Sequence, residues 1–463
     1  MFATETYVER RRLLRQQVGG GLILLLGSGP SLMNYADNAY AFRQDSSFLY
    51  FFGLDAPGLA GLIDVEAGRE TVFGDDVTLD DVIWMGPQRS IAEQAAEVGV
   101  TETMPSAGLA EVLKAALKQG RRIHYLPQYR PENVLRLHEM LAISATEVRR
   151  DVSDELIRAV VRQRSVKSQA EVAQIEQALE ICHAMQTAAM QAVRPGVVER
   201  RIVALMEGLV IERGARLSFP TIFTVHGETL HNHDHGNVMQ EGDIVINDSG
   251  AESPLHYAGD ITRTIPVSGR FTPQQRDIYT IVLNAQAAAI AAIRPRVLFR
   301  DVHLLACEVL AAGLKDLGLM RGDPRQAVAA GAHALFFQCG LGHMLGLDVH
   351  DMEGLGEDYV GYTEAIRRSS QFGLQSLRLA RTLEAGFVVT VEPGLYFIPQ
   401  LIDQWRAERR LEEFIEYEAV ERFRGFGGVR IEDDVLVTEN GCRVLGPTIP
   451  RTIEEVEAAC TEA

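Results

Sequence analysis

Short apolar runs set between turn residues fill the first third of this chain, and long amphipathic stretches take over after it. Tyr7 to Gln17 reads as a helix. Gly21 to Leu26 reads as a buried strand that stops at Gly27-Ser28-Gly29-Pro30. Phe48-Leu49-Tyr50-Phe51-Phe52 and Val82-Ile83-Trp84-Met85 predict two further strands, so this part is expected to form an α/β domain. Between Asp151 and Arg164 the periodicity weakens and charges crowd (Arg149, Arg150, Asp151, Asp154, Glu155), which predicts two domains, 1–155 and 156–463. Val172, Ile175, Leu179, Cys182 and Met185 then share one helical stripe, predicting a long helix with Cys182 in the core.

A repeat follows. A helix ending Ala192-Val193-Arg194-Pro195 precedes a second helix through Leu205 to Glu212, and about a hundred residues later the order recurs. There one helix ends Ala292-Ile293-Arg294-Pro295 and another runs through Leu305 to Leu314. Strands are expected after each pair, at Thr221–Val225 and near Phe336. Duplicated halves predict an α+β domain with an internal pseudo-two-fold repeat and a site at its centre.

Composition narrows the possibilities. A chain of 463 residues is long for one core, in keeping with two domains. Forty-five basic against 63 acidic residues leave a net charge of -18, which argues against nucleic acid or a polybasic membrane contact as partner. Leu22 to Leu26 is too short to span a bilayer. The five cysteines are scattered without a C-x-x-C pair, so a reducing, cytoplasmic setting is expected. The Gly-x-Gly at Gly27 lacks a third glycine and runs into Pro30, which makes it a strand-end turn. Asp75, Asp76, Asp80 and Asp81 read as a solvated edge.

Candidate chemistry gathers in the second domain. His343 and His350 lie seven residues apart in an apolar run, Phe336 to Asp351, that reads as extended. An odd separation on a straight strand points side chains to opposite faces, so one shared site requires a bend, which Gly346 permits. Asp248 ends a strand and Asp260 opens another twelve residues on, so a hairpin would bring them together. Glu392 closes the strand Phe387 to Val391, and Glu432 lies in a final strand, Val429 to Val435, sharing a face with Arg430. Close carboxylates repel unless a proton or cation intervenes. Four acids and one imidazole form an oxygen-rich donor set that suits Mn²⁺ or Co²⁺, with Zn²⁺ or Fe²⁺ as options. Because carboxylates bridge, five side chains suffice for two ions about 3.5–4 Å apart.

In this order, Asn247-Asp248-Ser249-Gly250, Gly259-Asp260-Ile261-Thr262-Arg263-Thr264, Gly340-Leu341-Gly342-His343, Thr390-Val391-Glu392-Pro393-Gly394 and Val429-Arg430-Ile431-Glu432-Asp433 resemble the ligand motifs of the pita-bread metallopeptidases, which include methionine aminopeptidase, aminopeptidase P and prolidase. The stretch Phe42-Arg43-Gln44-Asp45-Ser46 resembles the N-terminal accessory domain of aminopeptidase P. The resemblance implies a pita-bread catalytic domain and two divalent ions, foremost Mn²⁺, held by Asp248, Asp260, His343, Glu392 and Glu432. Glu392 would also take a proton from the attacking water. It implies that His350 stabilises the tetrahedral intermediate, that His231 contacts substrate, and that Tyr396 and Arg430 support the pocket. The implied reaction is hydrolysis of the Xaa-Pro bond at a peptide N-terminus, in a homodimer or homotetramer.

Two departures bear on that expectation. Cys339 stands where most relatives carry a histidine that lines the substrate site. A longer stretch, Glu353 to Glu384, contains Ser376-Leu377-Arg378, which resembles the prolidase segment whose arginine holds a dipeptide carboxylate, so a dipeptidase is the alternative reading. A non-catalytic pita-bread binding protein is a further one. His231-Asn232-His233-Asp234-His235 falls one residue short of the H-x-H-x-D-H metal motif, and His233 and His235 read as loop residues at the mouth.

Overall fold

Leu22–Leu26 is a strand buried along its whole length, as five consecutive apolar residues require. It pairs antiparallel with Ala60–Asp64 and parallel with Ile123–His124. Arg69–Phe73 and Glu102–Met104 extend the sheet on the other side to five strands. Leu22, Leu24, Leu62 and Phe73 pack against Leu109 and Leu113 of the helix Gly108–Lys118 and Leu137 of the helix Pro131–Leu141. The computed structural model describes residues 1–461. This first unit comprises Met1–Arg164 with Gly354–Tyr359, and the second comprises Ser165–Glu353 with the chain from Val360 onward.

Two expected strands in the first unit are helices. Phe48 to Phe52 lies in the helix Ser46–Phe52, where every residue is buried. A helix covered on all sides shows no apolar period, so its sequence cannot be told from a core strand. Its start is fixed by the Asp45 side chain, which accepts from the Phe48 N–H. Val82 to Met85 lies in the helix Leu79–Met85, begun by a Thr78/Asp81 capping box and with no buried residue. The acidic loop is exposed at Asp75, Asp76 and Asp80, as expected, and two of its acids also hold neighbouring backbone: Asp76 accepts from Ile91 N–H and Asp75 from Ser106 N–H.

The duplication is visible in the second unit. Gln169–Ala192 and Glu199–Glu212 form the first helix pair, Pro273–Ala292 and Phe299–Asp316 the second. The connections match in backbone detail. Gly196 (φ 85°) and Arg296 (φ 71°) are both left-handed, and Val198 and Leu298 form single antiparallel bridges, to Val238 and Thr382. The fully buried Gln186 donates to the Ile261 carbonyl, and its equivalent Gln286 donates to Asp433 Oδ2.

Strands from each half carry the acids. Ile244–Ser249 pairs with Ile222–Thr224 and with Ile261–Pro266. Val388–Val391 pairs with Asp433–Val437, which continues to Cys442–Val444. The expected single strand Val429 to Val435 is two strands. Gly428–Arg430 pairs with Gly394–Tyr396, and after Ile431-Glu432 the chain joins the neighbouring sheet. Glu432 at the switch donates its N–H to the Thr262 carbonyl across the two halves.

No strand forms near Phe336. A 3₁₀ turn, Ala332–Leu335, leads into chain outside any regular strand. Part of it runs antiparallel beside Val388–Val391, joined by the Met344–Val389 bridge, by Leu345 N–H to the Val388 carbonyl, by Thr390 N–H to the His343 carbonyl and by Glu392 N–H to the Leu341 carbonyl. The expected bend is present. Asp351 N–H returns to the Met344 carbonyl, Gly346 N–H bonds the Asp348 carbonyl, and a Cβ at Gly346 would lie 2.5 Å from Asp351 Oδ2. Apolarity here belongs to a buried segment that is hydrogen-bonded along Val388–Val391 without forming a regular strand.

Candidate active site

Backbone pairing brings the carboxylates together. Asp248 stands opposite Thr262 in the antiparallel register, which puts Asp260 just beyond the end of the same pair of strands. From the other half, Glu392 follows the strand Val388–Val391 and Glu432 occupies the switch between strands. His343 enters from the irregular segment and is tied to that strand through Thr390, whose Oγ1 accepts the His343 N–H at 3.1 Å. The same hydroxyl donates to Glu392 Oε1 at 3.4 Å, so one threonine sets both neighbours.

The imidazole has a defined orientation. His343 Nδ1 lies 3.0 Å from the Met344 carbonyl, which can only accept, so Nδ1 carries a proton and Nε2 faces the acids. Nε2 is 3.5 Å from Asp260 Oδ2 and 3.6 Å from Glu392 Oε1. Thr262 Oγ1 donates to Glu432 Oε2 at 2.6 Å. Arg430 donates to Asp248 Oδ2 through Nη2 and to the Tyr396 hydroxyl through Nη1 at 2.9 Å. Asp434 accepts the Asp260 N–H at 3.0 Å and fixes the backbone beneath it.

These groups fit divalent ions. One ligand atom each from Asp260, His343 and Glu432 lies within 4.8 Å of the others, all three side chains being buried. Asp248 Oδ1 and Asp260 Oδ1 are buried and meet no hydrogen-bond donor among the described residues. An uncompensated carboxylate oxygen in a dry site is unfavourable, and a bound cation is the group that satisfies it. Burial lifts the pKa values of Asp248, Glu392 and Glu432 above the usual carboxylate range, and the neighbouring acids lift them further against the opposing charge of Arg430. Burial works against a charged His343, yet Asp260 and Glu392 raise its pKa. A cation binding at Nε2 takes the place of the proton that the acids favour there.

The cluster opens on a cavity of about 290 Å³ whose wall includes Phe219, Leu230, His231, Cys339, His350 and Arg378. The His350 and His343 rings are 4.3 Å apart in an edge-on arrangement. His350 Nδ1 is 2.6 Å from Glu353 Oε2, and the same oxygen accepts from Arg378 Nη1 at 2.9 Å. Burial, with the nearby His343, Arg378 and His231, holds the His350 pKa far below its ordinary value. With Nδ1–H on Glu353, the neutral ring turns Nε2 outward from that pair as an acceptor. Burial pushes the Cys339 thiol up to about 12. His231 is exposed at the rim, and partial desolvation of its ring by the surrounding wall, with Arg430 and Arg378, lowers its pKa. His233 also lines the cavity, whereas His235 Nδ1 bonds the Phe223 carbonyl away from it. Tyr396 is buried behind Arg430 and lies outside the cavity wall.

A profile of metallopeptidase family M24 matches residues 173–439, more than half the chain and the whole of this cluster. The chain belongs to family M24. The N-terminal domain of aminopeptidase P matches residues 7–124 of this M24 chain. It is 34% identical to an Xaa-Pro dipeptidase of Homo sapiens over 455 residues, 95% of this chain and 89% of that protein. It is 32% identical to a probable Xaa-Pro aminopeptidase of Paracoccidioides brasiliensis over 100% of this chain and 97% of that one. Among solved structures it resembles zinc-substituted aminopeptidase P of E. coli in complex with product, with a TM-score of 0.81 and 29% identity, covering 99% of this chain and 98% of that one. As an M24 member it is a metallopeptidase with an N-terminal domain of the aminopeptidase P type.

Several groups that set this M24 site escaped sequence reasoning. Thr262 and Thr390 lie within the quoted motifs, but like Asp434 they act by hydrogen bonds across strands distant in sequence, and nothing local marks that role. Glu353 lies three residues past His350, the spacing of a helical pair, but in a segment without periodic pattern.

Proposed function

We propose that this M24 metallopeptidase hydrolyses the bond between the first residue of a peptide and a proline in second position. The observation that carries this reading is the convergence of four carboxylates and the His343 Nε2 at the floor of one cavity. Asp248, Asp260, His343, Glu392 and Glu432 would hold two divalent ions, assigned here as Mn²⁺ from the oxygen-rich donor set. Divalent ions in such a site supply Lewis acidity toward the scissile carbonyl and acidify water.

The protein's own groups do the rest. Glu392, raised in pKa by burial, is suited to take a proton from the attacking water and return it to the leaving proline nitrogen. Arg430 and Thr262 keep Asp248 and Glu432 in place. His350 faces the cavity with Nδ1 anchored on Glu353. Stabilising a developing oxyanion requires a proton on His350 Nε2, which the Glu353 carboxylate favours. Burial, with His343, Arg378 and His231, opposes that proton until negative charge develops beside it. His231 at the rim would contact the substrate beyond the scissile bond, beside the Cys339 thiol. We assign the protein to the cytoplasm as a homodimer or homotetramer, which sedimentation at several concentrations tests.

Arg378 favours a second reading. A guanidinium in the cavity wall is placed to receive a free carboxylate, which in an Xaa-Pro dipeptide lies directly on the proline. Hydrolysis of Gly-Pro and Arg-Pro-Pro with Mn²⁺ separates the two. Cleavage of both supports an aminopeptidase, and cleavage of Gly-Pro alone a dipeptidase. Turnover of neither by protein carrying two ions per chain overturns the proposal. Glu392→Ala is expected to remove turnover of either substrate by at least about a hundredfold with the circular dichroism spectrum retained.

A further inference from the structure

A second set of metal-type donors lies in the same unit, apart from the carboxylates. His303 and Cys307 stand one turn apart on the helix Phe299–Asp316, and His333 sits in the 3₁₀ turn Ala332–Leu335. All three are buried, at 0%, 0% and 1% exposure. Cys307 Sγ is 3.4 Å from His303 Nε2, and the His303 and His333 rings are 6.4 Å apart at 70°. One donor atom from each lies within 4.8 Å of the other two.

Two histidines in a core ordinarily each bond a backbone carbonyl or a hydroxyl. Here His303 Nδ1 has no hydrogen-bond partner among the described residues, and the His333 ring has only the Val328 backbone beside it. Two imidazoles with so few partners beside a thiol, sealed from water, lack the full compensation that buried polar groups normally receive. Burial keeps both rings neutral, lowering His303 to about 3 and His333 to about 4, which leaves lone pairs available. Nitrogen and sulfur donors of this softness match Zn²⁺ and not the hard ions suited to the carboxylate site.

We propose that His303, Cys307 and His333 form a second metal site that binds a borderline-soft divalent ion, Zn²⁺, separate from the catalytic pair. Zinc–ligand lengths of about 2.0–2.3 Å in a tetrahedron place donors about 3.3–3.7 Å apart, so the side chains need to close by up to about 1.5 Å. The ion takes the thiolate form of Cys307, releasing its proton to solvent. It would staple the helix Phe299–Asp316 to the turn that leads into Cys339 and His343. The role is structural and makes no demand on the peptidase reaction.

Cobalt distinguishes this site from the catalytic one, because the carboxylate and imidazole set contains no thiolate. Full-length protein loaded with Co²⁺ should show a near-ultraviolet thiolate-to-cobalt charge-transfer band equivalent to one ion per chain. That band should persist in His343→Ala and vanish in Cys307→Ser, whose peptidase activity with Mn²⁺ should stay within about threefold of the parent. A band unchanged in Cys307→Ser would come from Cys339 and overturns the proposal. Absence of any band in the parent protein overturns it as well. Should Cys307→Ser not fold, the parent is incubated with Zn²⁺ and washed with a chelator that strips the Mn²⁺ pair. Retention of one zinc per chain supports the site, and retention of none overturns it.

Discussion

His350 does not act alone at the cavity wall: Glu353 Oε2 holds both its Nδ1 and the Arg378 guanidinium. One carboxylate thus anchors two groups of the cavity wall, which the proposal above assigns to the reacting carbonyl and to the substrate's far end. Replacing Arg378 by alanine should raise KM for Gly-Pro by about 10–100-fold with kcat nearly unchanged, the scale of a lost charge-assisted hydrogen bond. Glu353→Ala should disturb both partners, lowering kcat and raising KM by about tenfold each, and steady-state kinetics on Gly-Pro separates the two patterns. An equal pure KM effect in both variants would contradict the shared anchor. At this scale the candidate ligands were legible, since Asp248, Asp260, His343, Glu392 and Glu432 each sit in a short motif with apolar flanks. Glu353 was not, because its meaning lies in two contacts that no sequence period encodes. Tyr396 was legible as a site residue but not as one placed behind Arg430.

Among the elements, the repeat was readable from the Arg-Pro dipeptides that end two helices, and its structural content lies in paired side chains. Gln186 donates to the Ile261 carbonyl and accepts from Asn247 Nδ2, both buried. Gln186→Leu leaves those groups without partners and should destabilise the protein by about 2–3 kcal/mol, measured by urea unfolding. The helices Ser46–Phe52 and Leu79–Met85 were hidden for opposite reasons, one buried on every side and the other on none. Either condition erases the contrast between faces on which a helical period depends. The short edge strand Ile123–His124 carries a pH dependence of its own. His124 Nε2 faces the Gly20 carbonyl at 2.9 Å and Nδ1 faces Ser153 Oγ at 2.7 Å, and burial, with Arg122, lowers its pKa. Above about 6.5 the ring is neutral in both folded and unfolded chains. Below it the unfolded chain binds the proton first, so stability falls as pH drops toward the lowered folded value. The urea midpoint should therefore decline between pH 7 and pH 5 more in the parent than in His124→Gln.

Over the whole molecule, binding of divalent ions is coupled to folding of the second unit. An ion that binds only the folded chain adds about 2.7 kcal/mol at a free concentration a hundred times its dissociation constant. Chelation should lower the thermal midpoint of the parent protein, and the drop should shrink in Asp260→Ala, which lacks one ligand. An identical drop in that variant would place the stabilising ions elsewhere. The loss of periodicity and the crowding of charge that follow Arg149 predict a boundary at 155, whereas the two compact units divide at Arg164, at the end of the helix Asp154–Ser165. The inclusion of Gly354–Tyr359 in the first unit was not legible, because six residues carry too little pattern to show which core they join.

The crossing of the two halves has a consequence for connectivity. Asp248 and Asp260 belong to the first copy, while His343, Glu392 and Glu432 belong to the second. Neither copy alone is a weak version of the site; each is missing at least two of its five proposed ligands. A nick in the turn between them, after Pro266, would turn a unimolecular assembly into a second-order one. Ion affinity would then depend on fragment concentration, and the divalent pair would act as the agent that holds two peptides together.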